Sequence, residues 1–154
     1  MKLAIGDRIV YGVHGAGSIT AREMRNVRGE EQVVLVLALS NGLSVELPLA
    51  RAEESLRPLV DDAEIVRLGV VLSSDPTLDP DPWMKRQHAA RAKLTTAVGL
   101  AEIVNNGARR ASLSPTEREL VRNAKSLLAD EIALSRGEDT SAANAWIDAH
   151  LARH

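Results

Sequence analysis

The hydrophobic pattern of the sequence changes its period near residue 60, and this change constrains the fold more than any other feature. Before it, apolar residues alternate with polar ones or form short runs rich in β-branched residues, which is typical of strands. From Asp61 onward, apolar residues recur about every 3.6 positions, which indicates helices. The sequence therefore predicts an α+β fold, with a β domain over residues 1–58 and an all-helical domain over residues 61–154.

The β domain is expected to be small, because its predicted strands are short and few. The candidate strands are residues 8–11, 17–21, 32–39 and 43–47. Asn41-Gly42, between two apolar runs, is the strongest hairpin signal in the chain, and Pro48 is expected to end strand pairing. Four or five short strands in fewer than sixty residues predict a small Tudor-like or SH3-like barrel.

Two helix starts in the second half carry recognisable capping signals. Asp61 with Glu64 is a capping pair for the first helix. Ser114-Pro115-Thr116-Glu117 combines an N-cap, a proline at the first helical position and a glutamate at the third. The helix that this motif starts is predicted to run to Gly137.

Two other predicted helices have weaker boundaries. Gly99 is expected to interrupt the pattern before a helix that ends near Arg109. Thr140 or Ser141 is expected to cap a final short helix. Trp146 lies inside the apolar pattern of that helix, so the sequence predicts that it faces the core.

Between these helices lies the most basic stretch of the chain. Asp81 and Pro82 form a helix start, and Trp83 opens the predicted helix. From residue 83 to 93 there is no acid, and the basic residues and histidine are Lys85, Arg86, His88, Arg91 and Lys93. A large ring beside unopposed positive charge suits nucleic acid, with cations on phosphates and the ring at a base step. The same spacing also fits a tryptophan buried in the core, because Trp83 shares a helical face with Leu94.

Composition restricts the classes of partner. The net charge is −2, so DNA binding requires a local patch rather than a basic surface. Residues 83–110 supply six Lys or Arg against one acid, Glu102. The chain has no cysteine, and neither a secretory signal nor an apolar run of membrane length is visible. We expect a soluble cytoplasmic protein without a membrane partner.

Sequence signals for catalysis are weak. The pair Gly15 and Gly17 precedes a strand pattern, whereas a dinucleotide loop would have to open a helix. The histidines are far apart, and no spacing typical of a zinc site or of a nucleophile with its base is present. We therefore expect a protein that is not an enzyme and takes no metal, cofactor or small-molecule substrate.

The order and spacing of several short motifs resemble the CarD family of bacterial transcription regulators. The similarity runs from about residue 3 to about residue 151. The motifs are residues 6–11 (GDRIVY), 14–17 (HGAG), 29–30 (GE), 35–37 (LVL), 47–48 (LP), 83–86 (WMKR), 100–104 (LAEIV), 113–117 (LSPTE), 124–125 (AK) and 128–131 (LADE).

This resemblance implies a Tudor-like domain that docks on the β subunit of RNA polymerase, joined to a helical domain that reaches promoter DNA at the upstream edge of the bubble. Trp83 matches the family's wedge, and Lys85, Arg86 and His88 match its backbone-contacting neighbours. We add Arg91 as a phosphate contact from its place in the basic stretch. Arg25 matches a position that contacts polymerase in family members.

The sequence also departs from the family pattern. Gly12 replaces a proline, and Val33 and Val34 replace aromatic residues. Glu46 stands where some members have a basic residue at the polymerase contact, and such a charge reversal costs affinity unless the partner has changed too. An alternative function is a protein-interaction module without DNA binding, in which Trp83 is buried.

Overall fold

The computed structural model describes residues 3–74, 96–110 and 113–153, apart from the side chains of residues 13 and 27. The chain divides into two compact units, Met1–Leu59 and Val60–His154. The elements of the first unit are β1 (Arg8–Tyr11), a 3-10 turn (Gly12–His14), β2 (Gly15–Val27), β3 (Glu30–Leu39), β4 (Ser44–Pro48), α1 (Leu49–Ser55) and β5 (Leu56–Pro58). Those of the second are α2 (Asp62–Leu72), α3 (Ala97–Arg109), α4 (Pro115–Arg136) and α5 (Thr140–Leu151).

The strands of the first unit form one antiparallel sheet in the order β4-β3-β2-β1-β5. The predicted α+β class, with a small β unit followed by helices, is confirmed. Gly15 and Gly17 both belong to β2, so this region is a strand rather than the expected turn, and it does not open a helix as a dinucleotide loop would. Pro48 is the last residue of β4 and lies opposite Val34.

Turn residues fix the register of the two longest hairpins. Arg28 and Gly29 join β2 to β3 with φ of 55° and 84°, the two left-handed positions that a type I′ turn requires. At the predicted Asn41-Gly42 hairpin, Gly42 has φ of 89° and donates its N–H to Leu39 O at 3.0 Å. A glycine in this conformation ends a three-residue loop, so the hairpin prediction is confirmed.

The predicted barrel is wrong, because the sheet is open. In the described residues, β4 pairs only with β3 and β5 pairs only with β1. Closure would require β4 to pair with β5, but β5 has three residues and ends at Pro58, which has no N–H to donate. The short helix α1 connects these two strands and packs against β3, β4 and β5. This helix was not predicted, since the whole segment to residue 58 was interpreted as strands.

One face of the sheet carries the core of the first unit. Its buried residues are Leu3, Ile9, Ile19, Leu35, Leu37, Leu39, Leu47, Ala52 and Leu56. Gly17 lies where β3 approaches β2 closely, because a Cβ there would overlap Ala38 O. No side chain fits at this position, which gives the glycine a packing role.

Side-chain caps start the helices of the second unit, as predicted for two of them. Asp61 Oδ1 accepts the Glu64 N–H at 2.8 Å, and Ser114 forms a capping box with Glu117. Gly137, with φ of 67°, ends α4. Two expectations are wrong in detail. Gly99 lies in the first turn of α3, where Thr96 caps its N–H, and α5 is capped by Asp139, one residue before the predicted position.

The helical unit has its own core. Its largest fully buried side chains are Ile65, Leu68, Leu72, Leu100, Leu128, Ile132 and Ile147. Val60 belongs to this core, and its two backbone groups are held by α4: its N–H donates to Glu131 Oε2 at 3.0 Å, and its carbonyl accepts from Ser135 Oγ at 2.6 Å. Trp146 packs against the core and is half-buried, which agrees with the predicted inward face. No helix in the described ranges has the length and apolarity needed to cross a membrane.

Candidate functional site

A cluster of three charged side chains lies on the outer face of the sheet. The Arg25 guanidinium contacts Glu23 Oε2 at 2.6 Å and Glu46 Oε2 at 2.5 Å. We call these three residues the Arg25 cluster. Their side chains are 43 to 48% exposed, so a partner can reach them. Arg25 and Glu46, the two residues predicted to face polymerase, are thus bound to each other.

The alternation of the strands places the cluster opposite the core. Leu35 and Leu37 face the core, so Val34 and Val36 face outward, and the register sets Glu23 opposite Val34 and Glu46 opposite Val36. Val34 is nevertheless only 5% exposed and is not part of the sheet core. Its burial requires cover on the outer face, where Glu23 and Pro48 flank it in the register.

The electrostatics of the cluster are acidic rather than basic. Two carboxylates and one guanidinium sum to −1. The pKa of Arg25 is raised above its ordinary value, chiefly by the hydrogen bond to Glu23, with Glu46 adding a smaller attraction. The positive charge of Arg25 is therefore engaged within the chain, and the excess negative charge belongs to the two glutamates.

Within the residues that the structure describes, Glu46 also lies on a sheet edge that pairs with no further strand. Leu39 N–H donates to Leu43 O at 2.9 Å. Because hydrogen-bonded pairs alternate along an antiparallel ladder, the odd-numbered residues of β4 are the ones whose backbone groups bond to β3. The backbone N–H and C=O groups of Ser44 and Glu46 consequently point away from the sheet. An edge of this kind can accept another strand.

The residues predicted to contact DNA lie outside the described residues. They are Trp83, Lys85, Arg86, His88 and Arg91. Their assignment stays a prediction, as does the choice between an exposed and a buried Trp83.

The end of the basic segment is described, and its two arginines have structural partners. Arg109 donates to Leu72 O at 3.0 Å, to Leu151 O at 2.7 Å and to Asn105 Oδ1 at 3.1 Å. It thus joins α3 to the C-terminal ends of α2 and α5, where a positive charge is favourable. Arg110 pairs with Glu117 at 2.6 Å. The sequence assigned both arginines to a basic patch, whereas Arg109 ties helices together.

The ring of the second tryptophan, Trp146, lies near Arg136 and His150. Arg136 Cζ lies 5.2 Å from the Trp146 ring centroid, and the His150 ring centroid lies 4.2 Å away. Gly69 makes room for this arrangement, because a Cβ there would lie 2.7 Å from His150 Nε2. Within the described part of the chain, no three His, Asp or Glu side chains are placed to hold a metal ion.

Sequence reasoning missed Glu23 as a member of the site. The signal that could have found it is the spacing of Glu23 and Arg25, which puts both side chains on one face of a strand. The contact with Glu46 was harder to foresee, because β3 separates β2 from β4.

Comparison with known proteins agrees with this two-part organisation. Residues 3–60 match the CarD-like/TRCF RID domain, and residues 68–148 match the CarD C-terminal domain. The chain belongs to the CarD family. It is also 28% identical over 140 residues to the Bacillus subtilis (strain 168) protein named "Putative transcription factor YdeB", covering 86% of this chain and 92% of that protein. Family membership makes this a transcription-related protein whose partner belongs to the transcription machinery.

Proposed function

We propose that this CarD family member is a non-catalytic cytoplasmic regulator that binds the β subunit of RNA polymerase and stabilises the promoter open complex. The observation that carries the proposal is the combination of the two modules, a RID-type sheet and a CarD C-terminal domain, in one chain. One module binds polymerase in this scheme, and the other binds DNA beside it.

The polymerase contact uses the β4 edge. An extended segment of the β subunit pairs with the outward backbone groups of Ser44 and Glu46. Arg25 and Glu46 lie beside that edge and provide charge selectivity. Backbone pairing supplies affinity without reading side chains, so the charged residues determine which strand is accepted.

The DNA contact uses the basic stretch of the helical unit. Lys85, Arg86, His88 and Arg91 hold phosphates, and Trp83 wedges at a distorted step on the upstream edge of the bubble. Such contacts are independent of sequence. Stacking on one base is worth about 1 to 3 kcal/mol, which would shift the balance of open and closed complexes by roughly 5- to 150-fold.

Attachment to polymerase is essential to this scheme. The chain has a net charge of −2, and one small basic patch binds free DNA weakly and loses affinity as salt rises. Binding to polymerase raises the local concentration of promoter DNA around the patch. We therefore expect little binding to DNA alone and clear binding to polymerase-promoter complexes.

Replacing Trp83 tests the wedge. Trp83→Ala should leave polymerase binding unchanged and shorten the lifetime of the open complex by roughly 5- to 150-fold, because the stacking contact is lost. The lifetime is measured by challenging preformed open complexes with a competitor. Trp83→Phe keeps an aromatic ring and should retain most of the lifetime. A fully active Trp83→Ala variant would refute the wedge.

Arg109 and Arg110 are bonded to partners within the chain, so these two cations of the basic segment are less available to DNA. This observation favours the alternative function, an interaction module without DNA binding. The chain has two tryptophans, so the Trp146→Leu variant reports on Trp83 alone. Quenching of its fluorescence by iodide or acrylamide supports the wedge, whereas a fully protected indole supports the interaction module.

A further inference from the structure

The Arg25 cluster and the β4 edge together point to the chemistry of the segment that β4 accepts. We propose that Glu46 selects an incoming strand with a Lys or Arg at the position opposite Glu46, and rejects an acid there. This inference rests on the proposed function, since it names the charge of the polymerase segment that the edge receives.

β4 runs from Ser44 to Pro48, and Glu46 is its middle residue. In any strand that pairs along this edge, the residue opposite Glu46 projects to the same face of the sheet as the Glu46 side chain. Cross-strand neighbours lie about 4.5 to 5.5 Å apart at Cβ, so the two side chains meet.

The incoming residue encounters an excess of negative charge at the Arg25 cluster. Glu46 contacts Arg25, but Arg25 also forms an ion pair with Glu23, so two carboxylates share one guanidinium. The unbalanced charge is negative. A cation opposite Glu46 completes the pairing, whereas an acid adds a third carboxylate to the cluster. Opposite charges across a strand pair stabilise it, and like charges destabilise it.

A second copy of this chain fits the edge poorly, because symmetric antiparallel pairing centred on β4 would set one Glu46 against the other. A strand with a basic residue removes this conflict. The geometry therefore favours a different protein, and under the proposed function that protein is the β subunit.

The test measures the affinity of purified RNA polymerase core enzyme for the full chain and four variants. Glu46→Gln should weaken binding by about 2- to 5-fold and Glu46→Arg by roughly 5- to 25-fold, because the first removes one exposed pair and the second adds repulsion. Glu46→Asp keeps the charge and should retain most of the affinity. Glu53→Gln, an exposed acid on α1, is the charge-matched control and should bind like the unmodified chain.

Salt dependence provides a second measurement. Glu46→Gln should flatten the fall of affinity with salt, since an attractive pair has been removed. Tighter binding of Glu46→Gln or Glu46→Arg would overturn the inference, because it would show that the partner presents an acid to Arg25. An equal loss in Glu53→Gln would overturn it as well. Absence of binding by the unmodified chain would instead refute the polymerase contact itself, and a dimer across β4 would refute the argued occupant.

Discussion

Arg25 in the sheet unit and Arg109 in the helical unit show two different uses of the same side chain. Arg25 is 43% exposed, and both its partners are carboxylates on the surface. Arg109 is half-buried, and two of its partners are backbone carbonyls at helix ends. A surface ion pair can exchange one partner for another at little cost, whereas a partly buried carbonyl at a helix end loses more when its donor is removed.

The comparison teaches that counting basic residues along the sequence does not locate a binding surface. Arg109 contributes to the positive charge of the basic segment and yet maintains the fold. Arg25 lies in an acidic neighbourhood and yet remains accessible. Substitution of Arg109 in the helical unit should therefore lower stability. Substitution of Arg25 in the sheet unit should instead change the binding of a partner.

Arg109→Ala should have the largest effect on stability. It leaves the carbonyls of Leu72 and Leu151 without their donor and should lower the free energy of unfolding by about 2 to 4 kcal/mol, measured by urea denaturation. Arg110→Ala, which removes an ion pair at the next residue, is the matched control and should cost at most about 1 kcal/mol. Equal losses for the two variants would mean that Arg109 contributes no more to the fold than Arg110 does.

Asn105→Ala should have an intermediate effect. Asn105 is 3% exposed, donates to Ser74 O at 3.1 Å and accepts from Arg109 at 3.1 Å. Its loss should lower the free energy of unfolding by about 1 to 2 kcal/mol. The loss of unfolding free energy in the Asn105→Ala/Arg109→Ala double variant should be smaller than the sum of the two single losses, because the residues share a hydrogen bond. Strict additivity would show that they act independently.

Arg25→Ala should have the smallest effect on stability. Its partners Glu23 and Glu46 can each return to water, so the urea midpoint should stay within experimental error of the unmodified chain. The same variant should tighten binding to RNA polymerase, because the charge of the cluster changes from −1 to −2 and attracts the incoming cation more strongly. A large loss of stability would mean that Arg25 is a structural residue like Arg109.

Local sequence signals predicted much of the fold. The capping box at Ser114, the cap at Asp61 and the turn at Gly42 each depend on a few neighbouring residues, and each forms as expected. The start of α5 was displaced by one residue, because Asp139, Thr140 and Ser141 can all cap a helix and tertiary packing decides among them.

Features that depend on distant residues could not be predicted in the same way. An open or closed sheet depends on whether β4 meets β5, and α1 between them was too short to show a helical period. The resemblance indicated Arg25 and Glu46 as separate contacts. Their bond to each other depends on the three-dimensional arrangement of β2 and β4, which no local pattern encodes.

Val60 determines where the chain can be cut. It lies one residue before the predicted domain start at Asp61, yet it is 2% exposed and both its backbone groups are held by α4. A helical fragment beginning at Asp61 would lack Val60, and the buried Glu131 would lose the hydrogen bond that the Val60 N–H donates to it. Isolated helical fragments should therefore begin at or before Leu59. A shorter fragment should express poorly because it lacks the contacts of Val60 with α4, whether or not it binds DNA.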